Sequence, residues 1–317
     1  MDKKNAQPLV SIVTPCYNGA KSVKTFLDSV LHQTYDNIEI FFINDGSTDK
    51  TEDICKEYAE RFKERGYDFY YIKQENAGQA AAINKGLKLF KGKYLTWPDS
   101  DDYLCPEYVE HKVNFLESHP EYNMVISPIT HVHESDLSKG FFTEIRTRSK
   151  NDNLFTDFIQ GRNSYYPPGG YMITAEGFLK AYPNRQILES KEGQNIQMLL
   201  PMAYMHKYGH LDEVLYHYII YSNSHAHKER QFQEALDRSD SIMGLMQKVM
   251  AEIDMPKNER EQYEKMLEHE RWRRHFYFSI QYKNRKYMNE VYKKHRKTGS
   301  VLLKDCILHI VRNFTWK

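Results

Sequence analysis

The sequence has few cysteines, and they are scattered. The four are Cys16, Cys55, Cys105 and Cys306, and no two of them form a C-x-x-C pair. This spacing argues against a structural zinc site and against a framework of disulfides. A reducing compartment suits such a sequence, so we expect a cytoplasmic protein.

Long apolar segments are missing as well. No run is long and apolar enough to span a bilayer, and no apolar core follows Lys3 and Lys4 as it would in a signal peptide. Hydrophobic residues make up 40% and charged residues 27% of the chain, which is typical of a soluble globular protein. The sequence therefore predicts a soluble fold that can bury a core.

An excess of one charge is also lacking. The 44 basic and 43 acidic side chains leave a formal net charge of +1. Such a balance gives no overall attraction for nucleic acid, and we expect no nucleic-acid partner. No G-x-G-x-x-G motif follows the first strand-like segment, which argues against a nucleotide-dependent oxidoreductase.

What the sequence does contain is a regular alternation of strand-like and helix-like segments. Short runs rich in β-branched and aromatic residues predict strands at 9–14, 38–43, 69–72, 94–97 and 124–127. Helical spacing of apolar residues lies between them. The alternation predicts an α/β fold with a mainly parallel sheet flanked by helices. Ligands bind such sheets at the carboxyl ends of the strands, so the loops after the first, second and fourth strands should share one crevice.

The second half of the chain is less regular. Its composition predicts a loop at 165–170, a helix at 196–205 and a strand at 211–221. From about residue 228 onward the pattern becomes helical and charged, which predicts a C-terminal helical appendage.

The sharpest single motif is acidic. Asp99, Asp101 and Asp102 place three carboxylates within four residues, directly after the fourth predicted strand. Carboxylates this close repel one another unless a cation neutralises them, and oxygen ligands suit Mg²⁺ or Mn²⁺. Such an ion can bridge to a diphosphate and act as a Lewis acid on the leaving group. The alternative is an acidic turn that caps the helix near Pro106.

Three further motifs stand at the predicted strand ends, in register with the acidic one. They are 13–18 (VTPCYN), 43–49 (INDGSTD) and 76–78 (NAG) with Asn84. In order, spacing and placement, the four motifs resemble those of the family 2 glycosyltransferases, which have the GT-A fold. The resemblance is strong over about 9–130 and weak over about 165–225.

This resemblance implies a domain organisation. A Rossmann-like GT-A domain would occupy 1–226, with a nucleotide-sugar-binding half at 1–130 and an acceptor half at 131–226. A C-terminal helical region would occupy 227–317.

The resemblance also implies roles around the donor. Tyr17 would border the base and ribose together with its neighbours, and Asp45 would accept a hydrogen bond from the base. Asp45 could equally close an Asx turn with Gly46, and both roles can hold together. Gly78 would let the backbone approach the ligand closely. The donor-binding set is Thr14, Pro15, Tyr17, Asn18, Asp45, Asn76, Gly78, Asn84, Asp99 and Ser100.

For the metal, the resemblance points to the end of the acidic motif. Asp101 would ligate Mn²⁺ or Mg²⁺ beneath the diphosphate, with Asp102 beside it. His225 would be a further ligand, because members of this fold often place a C-terminal histidine near the metal, although it could also be an ordinary surface-loop histidine.

The catalytic base is where the sequence departs from the family. Gln194 and Asn195 stand where a Glu-Asp pair is expected, and an amide cannot take a proton as a carboxylate does. Glu189 or Glu192 could serve instead, with the two amides binding acceptor hydroxyls. The two glutamates could also be a solvated face at a helix start. The Glu-Asp pair could also correspond to a position a few residues away, or the protein could bind the donor without transferring it.

The C-terminal region combines basic and aromatic residues. Such helices can pack on the catalytic domain or lie on an anionic membrane. The apolar segment 301–311 could dock on the core, on a membrane or on a second subunit, so a homodimer is one option.

Together these features predict a metal-dependent, inverting, hexosyltransferase-like enzyme. The donor would be a nucleotide-diphosphate sugar, most often UDP-linked in this family, and the acceptor a glycan or lipid-linked glycan of the cell surface. A peripheral position at the inner face of the membrane would suit that acceptor. The alternative is a non-catalytic nucleotide-sugar-binding or assembly partner in glycan synthesis.

Overall fold

The strands form where the sequence predicts its first five, and six more accompany them. The computed structural model describes residues 7–148, 153–190, 193–222 and 230–316. The strands in these ranges are β1 Val10–Cys16, β2 Ile38–Asp45, β3 Asp68–Gln74, β4 Tyr94–Thr96, β5 Tyr103–Leu104, β6 Met124–Ile126, β7 Ile129–His133, β8 Asp136–Glu144, β9 Tyr171–Thr174, β10 Tyr208–His210 and β11 Tyr216–Ile220.

The main sheet has seven strands in the order β10-β6-β9-β4-β1-β2-β3. All its neighbouring pairs are parallel except those of β9, which runs antiparallel to both β4 and β6. Every residue of β1 and β2 is buried, as expected for central strands covered on both faces. Their β-branched and aromatic residues suit that environment, and each large apolar side chain buried there contributes roughly 1.5–3 kcal/mol. The predicted mainly parallel α/β architecture is confirmed.

A second sheet was not expected from the sequence. Its order is β5-β11-β7-β8, and β7 pairs in parallel with β11. Of the strand predicted at 211–221, only Tyr216–Ile220 forms, as β11, and it pairs with β7. The short strand β10 lies just before that segment and pairs with β6. The polar pair Asp212 and Glu213 lies in the link between them. The acidic loop is thereby brought between the two sheets, since β5 directly follows it.

Helices cover the sheet and dominate the C-terminal part. They are α1 Val23–Leu31, α2 Thr51–Arg65, α3 Gln79–Leu89, α4 Tyr108–Ser118, α5 Leu154–Gln160, α6 Ala175–Ala181, α7 Gln194–Met205, α8 Phe232–Glu252, α9 Lys257–Gln281, α10 Arg285–Thr298 and α11 Leu303–Thr315. A 3-10 turn spans Pro168–Gly170. Of the helices described, none is long and apolar enough to cross a membrane.

The chain divides into two compact units. One comprises Met1–Asp152 and Tyr165–Ser224 and holds both sheets. The other comprises Asn153–Ser164 and His225–Lys317, so α5 groups with the C-terminal helices. The boundary predicted between residues 226 and 227 lies outside the described residues and stays a prediction.

The second unit has a small core of its own. Phe276, Met288, Val291 and Tyr292 form its buried centre. A buried carboxylate, Glu270, is held by two arginines of the same helix, at N–O distances of 2.6 and 3.2 Å. The predicted C-terminal helical region is confirmed over the residues described.

Candidate active site

The loops after β1, β2 and β4 meet at one edge of the main sheet. The Thr14 hydroxyl, at the end of β1, donates to the Pro98 carbonyl beyond β4 at 3.1 Å. Parallel pairing of β4, β1 and β2 places their carboxyl ends side by side. The three loops that the sequence predicts to share one crevice therefore lie side by side at this edge.

The first two loops are tied together by short hydrogen bonds. The Asn18 N–H donates to the Ser47 hydroxyl at 2.8 Å, and the Asn18 side-chain oxygen accepts from the Thr48 N–H at 2.8 Å. Asn18 adopts φ +51°, a left-handed conformation that asparagine tolerates better than most residues. Next to it, the ring of Tyr17 is 55% exposed, so an aromatic face remains open to a ligand at this edge.

Asp45 organises the loop after β3. One carboxylate oxygen accepts from the Ala77 N–H and from the Gln74 amide, at 2.9 and 2.7 Å. The other accepts from the Gly78 N–H at 2.9 Å. The Asx turn expected at Asp45 is made instead by Asn44, whose side chain accepts from the Ser47 N–H at 2.8 Å. A carboxylate has about four acceptor sites, so Asp45 can still accept one more hydrogen bond.

Two glycines allow this loop to form. Gly46 has φ +75°, and a Cβ there would stand 2.7 Å from the Asn76 nitrogen. Gly78 has φ +91° and immediately precedes α3, but an added Cβ at Gly78 would meet no atom within 4 Å. The Asn76 amide donates to the Asp45 carbonyl at 3.0 Å. Gly46 is therefore required for close packing and conformation, whereas Gly78 is required for conformation and faces open space.

Asn84 makes a contact that the sequence could not show. Its side-chain N–H donates to the Ile187 carbonyl, and its side-chain oxygen accepts from the Ile187 N–H, both at 2.9 Å. Asn84 is buried, so its amide is turned to the backbone of the 187–190 segment. The structure gives it a positioning contact on the segment that carries Glu189, and its place in the donor pocket stays a prediction.

The three carboxylates of the acidic loop lie in different surroundings. Asp101 is exposed and Asp99 half-buried, while Asp102 is buried. Asp102 accepts from the Ile219 N–H at 2.8 Å and from the Tyr216 hydroxyl, both on β11. The Tyr221 hydroxyl donates to the Asp101 carbonyl at 3.0 Å. Asp102 thus anchors the loop to the second sheet, and the Asp101 carboxylate is the more accessible of the two predicted metal ligands.

The electrostatics of this loop suit a cation. Desolvation by the surrounding protein raises the pKa of Asp99, and the neighbouring Asp101 raises it further. Desolvation also raises the pKa of Asp101, although its side chain keeps a solvent-exposed face. For Asp102, burial raises the pKa first, followed by repulsion from Asp101 and Asp99. A divalent cation would offset the repulsion that adds to desolvation in raising the pKa of Asp99 and of Asp102.

The described residues supply only part of a metal shell. Among them, no three His, Cys, Asp or Glu side chains converge on one point that could hold an ion. Mg²⁺ and Mn²⁺ bound with nucleotides take the remaining ligands from phosphate oxygens and water, so a carboxylate or two suffices. His225, the predicted further ligand, lies outside the described residues.

Ser100 lies between the metal-binding candidates and β1. Its side chain hydrogen-bonds Cys16, whose thiol has a pKa raised to about 11 by burial. A thiol with so high a pKa stays protonated at neutral pH and is a poor nucleophile. We therefore assign Cys16 no chemical role.

The segment expected to hold the acceptor is joined to the acidic loop through Trp97. The buried Trp97 indole N–H donates to the Asn195 side-chain oxygen at 3.1 Å. Asn195 stands in the first turn of α7, which follows Gly193 with φ +81°. The other amide of the pair, Gln194, is buried at the start of the same helix.

The two candidate bases stand differently. Glu189 is exposed, and its neighbour Ser190 accepts from the Gln197 amide at 3.0 Å. Glu192 lies outside the described residues. Sequence reasoning missed Trp97 and Tyr216 as parts of the site, because their partners lie 98 and 114 positions away along the chain.

Comparison with known proteins identifies this arrangement. The chain matches glycosyl transferase family 2 over residues 11–181. Over 226 residues it is 30% identical to the minor teichoic acid biosynthesis protein GgaB of Bacillus subtilis, which covers 69% of this chain and 24% of that protein. The chain spans about a third or less of the length of the curated relatives it matches.

Solved structures show the same fold. S. aureus TarS 1–349 in complex with UDP-GlcNAc is similar with a TM-score of 0.63 at 15% identity, covering 92% of this chain and 89% of that one. The mannosyltransferase PcManGT from Pyrobaculum calidifontis, in complex with GDP-Man and Mn²⁺, has a TM-score of 0.60 at 14% identity, covering 97% and 85%. The expected GT-A fold is confirmed.

Proposed function

The chain belongs to glycosyl transferase family 2, and from that membership and the site's geometry we propose that it is a metal-dependent, inverting glycosyltransferase. The donor is a nucleotide-diphosphate sugar, and the acceptor is a hydroxyl of a glycan or lipid-linked glycan. The observation that carries the proposal is the meeting of three loops at one sheet edge, one of them the acidic loop, which Thr14 joins to β1.

Donor binding follows from what stays open at this edge. The exposed ring of Tyr17 can stack on the nucleobase, and the spare acceptor site of Asp45 can take a hydrogen bond from its edge. Asn18 and Asn76 hold the two loops in shape around that position. Thr14 and Pro15 are buried, so they support the pocket from beneath. UDP is our first candidate nucleotide, in keeping with the UDP-GlcNAc bound by TarS.

The acidic loop fits a divalent ion. We propose Asp101 as the carboxylate that binds Mn²⁺ or Mg²⁺. Asp99 lies beside it and contacts the ribose or sugar, and Asp102 holds the loop in position on β11. When bound, such an ion neutralises charge on the leaving diphosphate. PcManGT, of the same fold, was crystallised with GDP-Man and Mn²⁺. We propose His225 as a further ligand of the same ion.

The transfer step needs a carboxylate on the acceptor side. The acceptor oxygen forms a bond to the anomeric carbon while the bond from that carbon to the phosphate oxygen breaks, and the hydroxyl proton passes to the carboxylate. Gln194 and Asn195 cannot take that proton. Glu189 is exposed on a segment held by Asn84, and Glu192 follows three residues later, so we propose one of them as the base.

The acceptor belongs to the cell surface in this proposal. GgaB, to which this chain is similar, is named a minor teichoic acid biosynthesis protein. We therefore propose that this chain extends a cell-surface polysaccharide or glycoconjugate. Its relatives are longer, so further steps of such a synthesis could lie on other segments or proteins.

A second candidate function is a donor-binding protein without transferase activity. It is favoured by one observation: Asn195 stands at the expected base position, and its side-chain oxygen already accepts from the Trp97 indole. In that case the site would bind a nucleotide sugar and hand it to another protein of a glycan-synthesis assembly.

Donor turnover distinguishes the two. Purified protein is incubated with UDP-, GDP- and other nucleotide sugars and with Mn²⁺, and release of the free nucleoside diphosphate is followed. Slow release from one donor, accelerated by a glycan acceptor, is the expected result. Metal-dependent binding with no release for any donor, even with acceptors present, would favour the donor-binding function. If no donor bound to the protein, both proposed functions would be refuted.

A further inference from the structure

The last helix, α11, exposes its apolar face to solvent. Its apolar side chains at Leu303, Ile307 and Phe314 are 76%, 51% and 84% exposed. Ile310 and Val311, at 54% and 43%, extend the same stripe. These five positions follow the i, i+4, i+7, i+8 and i+11 spacing of one helix face, so the exposed surface is a continuous apolar stripe.

The opposite face of α11 packs on its own unit through Leu308 and through polar groups. Asp305 is buried and accepts from the Tyr277 hydroxyl at 2.5 Å. His309 hydrogen-bonds Asn289 at 2.7 Å and stacks on the Tyr292 ring at 3.8 Å. α11 therefore packs on its own unit through the face opposite the stripe, and the apolar side chains of the stripe remain exposed. Such a patch marks a surface that contacts something else.

The charge beside the stripe is of one sign. Between Arg285 and Trp316 the sequence has eight Lys or Arg and two Asp or Glu residues, although the whole chain has a net charge of only +1. One of the two acids, Asp305, is buried. Lys293, Arg296 and Lys297 of α10 are exposed, as is Lys304 at the edge of the stripe. The segment that carries the apolar stripe is thus strongly cationic.

We propose that α11 lies in the surface of an anionic lipid membrane, with the stripe Leu303, Ile307, Ile310, Val311 and Phe314 among the acyl chains and the basic residues of α10 and α11 on the headgroups. The helix has 13 residues, about 20 Å of length, which is too short to span a bilayer but long enough to lie within the interface. An apolar stripe with a cationic border matches that location.

Charge decides between a membrane and a second copy of the chain. Two copies that met through this stripe would bring two cationic surfaces together, which costs free energy at low ionic strength. An anionic bilayer removes that cost and gains from every lysine and arginine. The inference does not depend on the proposed sugar transfer, because lipid binding requires neither donor nor metal.

Vesicle co-sedimentation of the full chain tests the proposal. Vesicles of phosphatidylcholine alone and of phosphatidylcholine with phosphatidylglycerol are compared at low and high salt. We expect binding to the anionic vesicles, weakened by salt. Replacing Ile307 and Phe314 together by Asp should lower the partition coefficient at least about tenfold, because the stripe can no longer enter the apolar region.

The controls separate lipid insertion from loss of fold and from general stickiness. Leu89→Asp with Ile145→Asp changes two side chains of comparable exposure, 50% and 65%, on the other unit and should leave partition unchanged. Phe314→Ser alone, at the most exposed position, should give a smaller loss with an unchanged melting temperature. Lys293→Gln with Arg296→Gln and Lys297→Gln should abolish the preference for anionic lipid.

Two results would overturn the proposal. One is equal binding of the parent and the Ile307→Asp, Phe314→Asp variant to anionic vesicles. The other is self-association without lipid, seen by sedimentation velocity, that this variant abolishes; the stripe would then bind a second copy. Donor binding should be the same in all these variants. The membrane proposal can therefore fail without affecting the proposed transferase activity, and the transferase proposal can fail without affecting the membrane proposal.

Discussion

Trp97 donates its indole N–H to the side-chain oxygen of Asn195 at 3.1 Å, across 98 positions of sequence. Trp97 directly follows the fourth strand, just before the acidic loop, and Asn195 stands in the first turn of α7. One hydrogen bond therefore connects the proposed metal-binding loop with the helix expected to face the acceptor. It also gives Asn195 a structural role at a position where a carboxylate is expected.

The first prediction concerns this hydrogen bond. Asn195→Ala should lower the free energy of unfolding by about 1–3 kcal/mol, because the buried indole N–H loses its acceptor. Asn195→Asp should cost less, since a carboxylate oxygen can still accept. Urea denaturation measures both. In a Trp97→Phe background, Asn195→Ala should cost clearly less than in the parent; equal costs in the two backgrounds would show that the two side chains are not coupled.

The second prediction separates positioning from donor contact at Asn84. Asn84→Ala leaves the Ile187 N–H and carbonyl without partners and loosens the segment that carries Glu189. We expect kcat to fall while donor affinity, measured by calorimetry, changes by less than about threefold, or well under 1 kcal/mol. If donor affinity and kcat fell in parallel, Asn84 would contact the donor directly.

The third prediction concerns the base. Glu189→Gln and Glu192→Gln should both bind the donor as the parent does, because neither is placed in the donor pocket. One of them should reduce turnover by at least about 100-fold, the lower range of general-base catalysis. The other serves as the matched control, since it makes the same change three residues away. Unchanged turnover in both variants would place the base elsewhere.

The fourth prediction is a pH dependence in the second unit. Burial and, second, the neighbouring His269 lower the pKa of His295 to about 4, and the two Nε2 atoms are 3.2 Å apart. The folded state therefore binds fewer protons than the unfolded state, whose histidine has a pKa near 6.5. Stability is fully present above about pH 6.5 and is lost as the pH falls towards 4, by up to about 3 kcal/mol.

Tryptophan fluorescence can follow that loss. Trp272 and Trp316 report on the second unit, and Trp97→Phe removes the signal of the first. Urea unfolding at a series of pH values should show a fall in stability between pH 6.5 and 4 that His295→Phe reduces. The same slope in the parent and the variant would show that His295 does not govern it.

Much of the fold could be predicted because it is written in local patterns. β1 and β2 are runs of β-branched and aromatic residues, and Thr14 and Asp45 stand at their ends as the family motifs require. β8 was missed because its residues are largely exposed and lack a clear alternation of buried and exposed positions. β10 was missed because its three residues are too few to show a periodic pattern, and β11 is shorter than the strand predicted at 211–221.

The positions of the site residues could be predicted from the sequence, but the separate role of each residue could not. Three neighbouring carboxylates look alike in sequence, whereas Asp102 is bound by Tyr216 and Ile219 and Asp101 is not buried. Asn84 likewise reads as a pocket residue, although its partner is a backbone 103 positions away. Such roles depend on tertiary contacts between distant segments, which residue spacing does not encode.

The most direct test of the central claim is the effect of Mn²⁺ on nucleotide binding in an Asp101 variant. Calorimetric titration with UDP, and with GDP, ADP and CDP in turn, is done with and without Mn²⁺. The parent and Asp53→Asn, a control at an exposed helix position, should bind one nucleotide at least about tenfold more tightly with Mn²⁺, a difference of about 1.4 kcal/mol. Asp101→Asn should lose that enhancement. An unchanged Mn²⁺ effect in Asp101→Asn, or no Mn²⁺ effect with any nucleotide in the parent, would contradict the account.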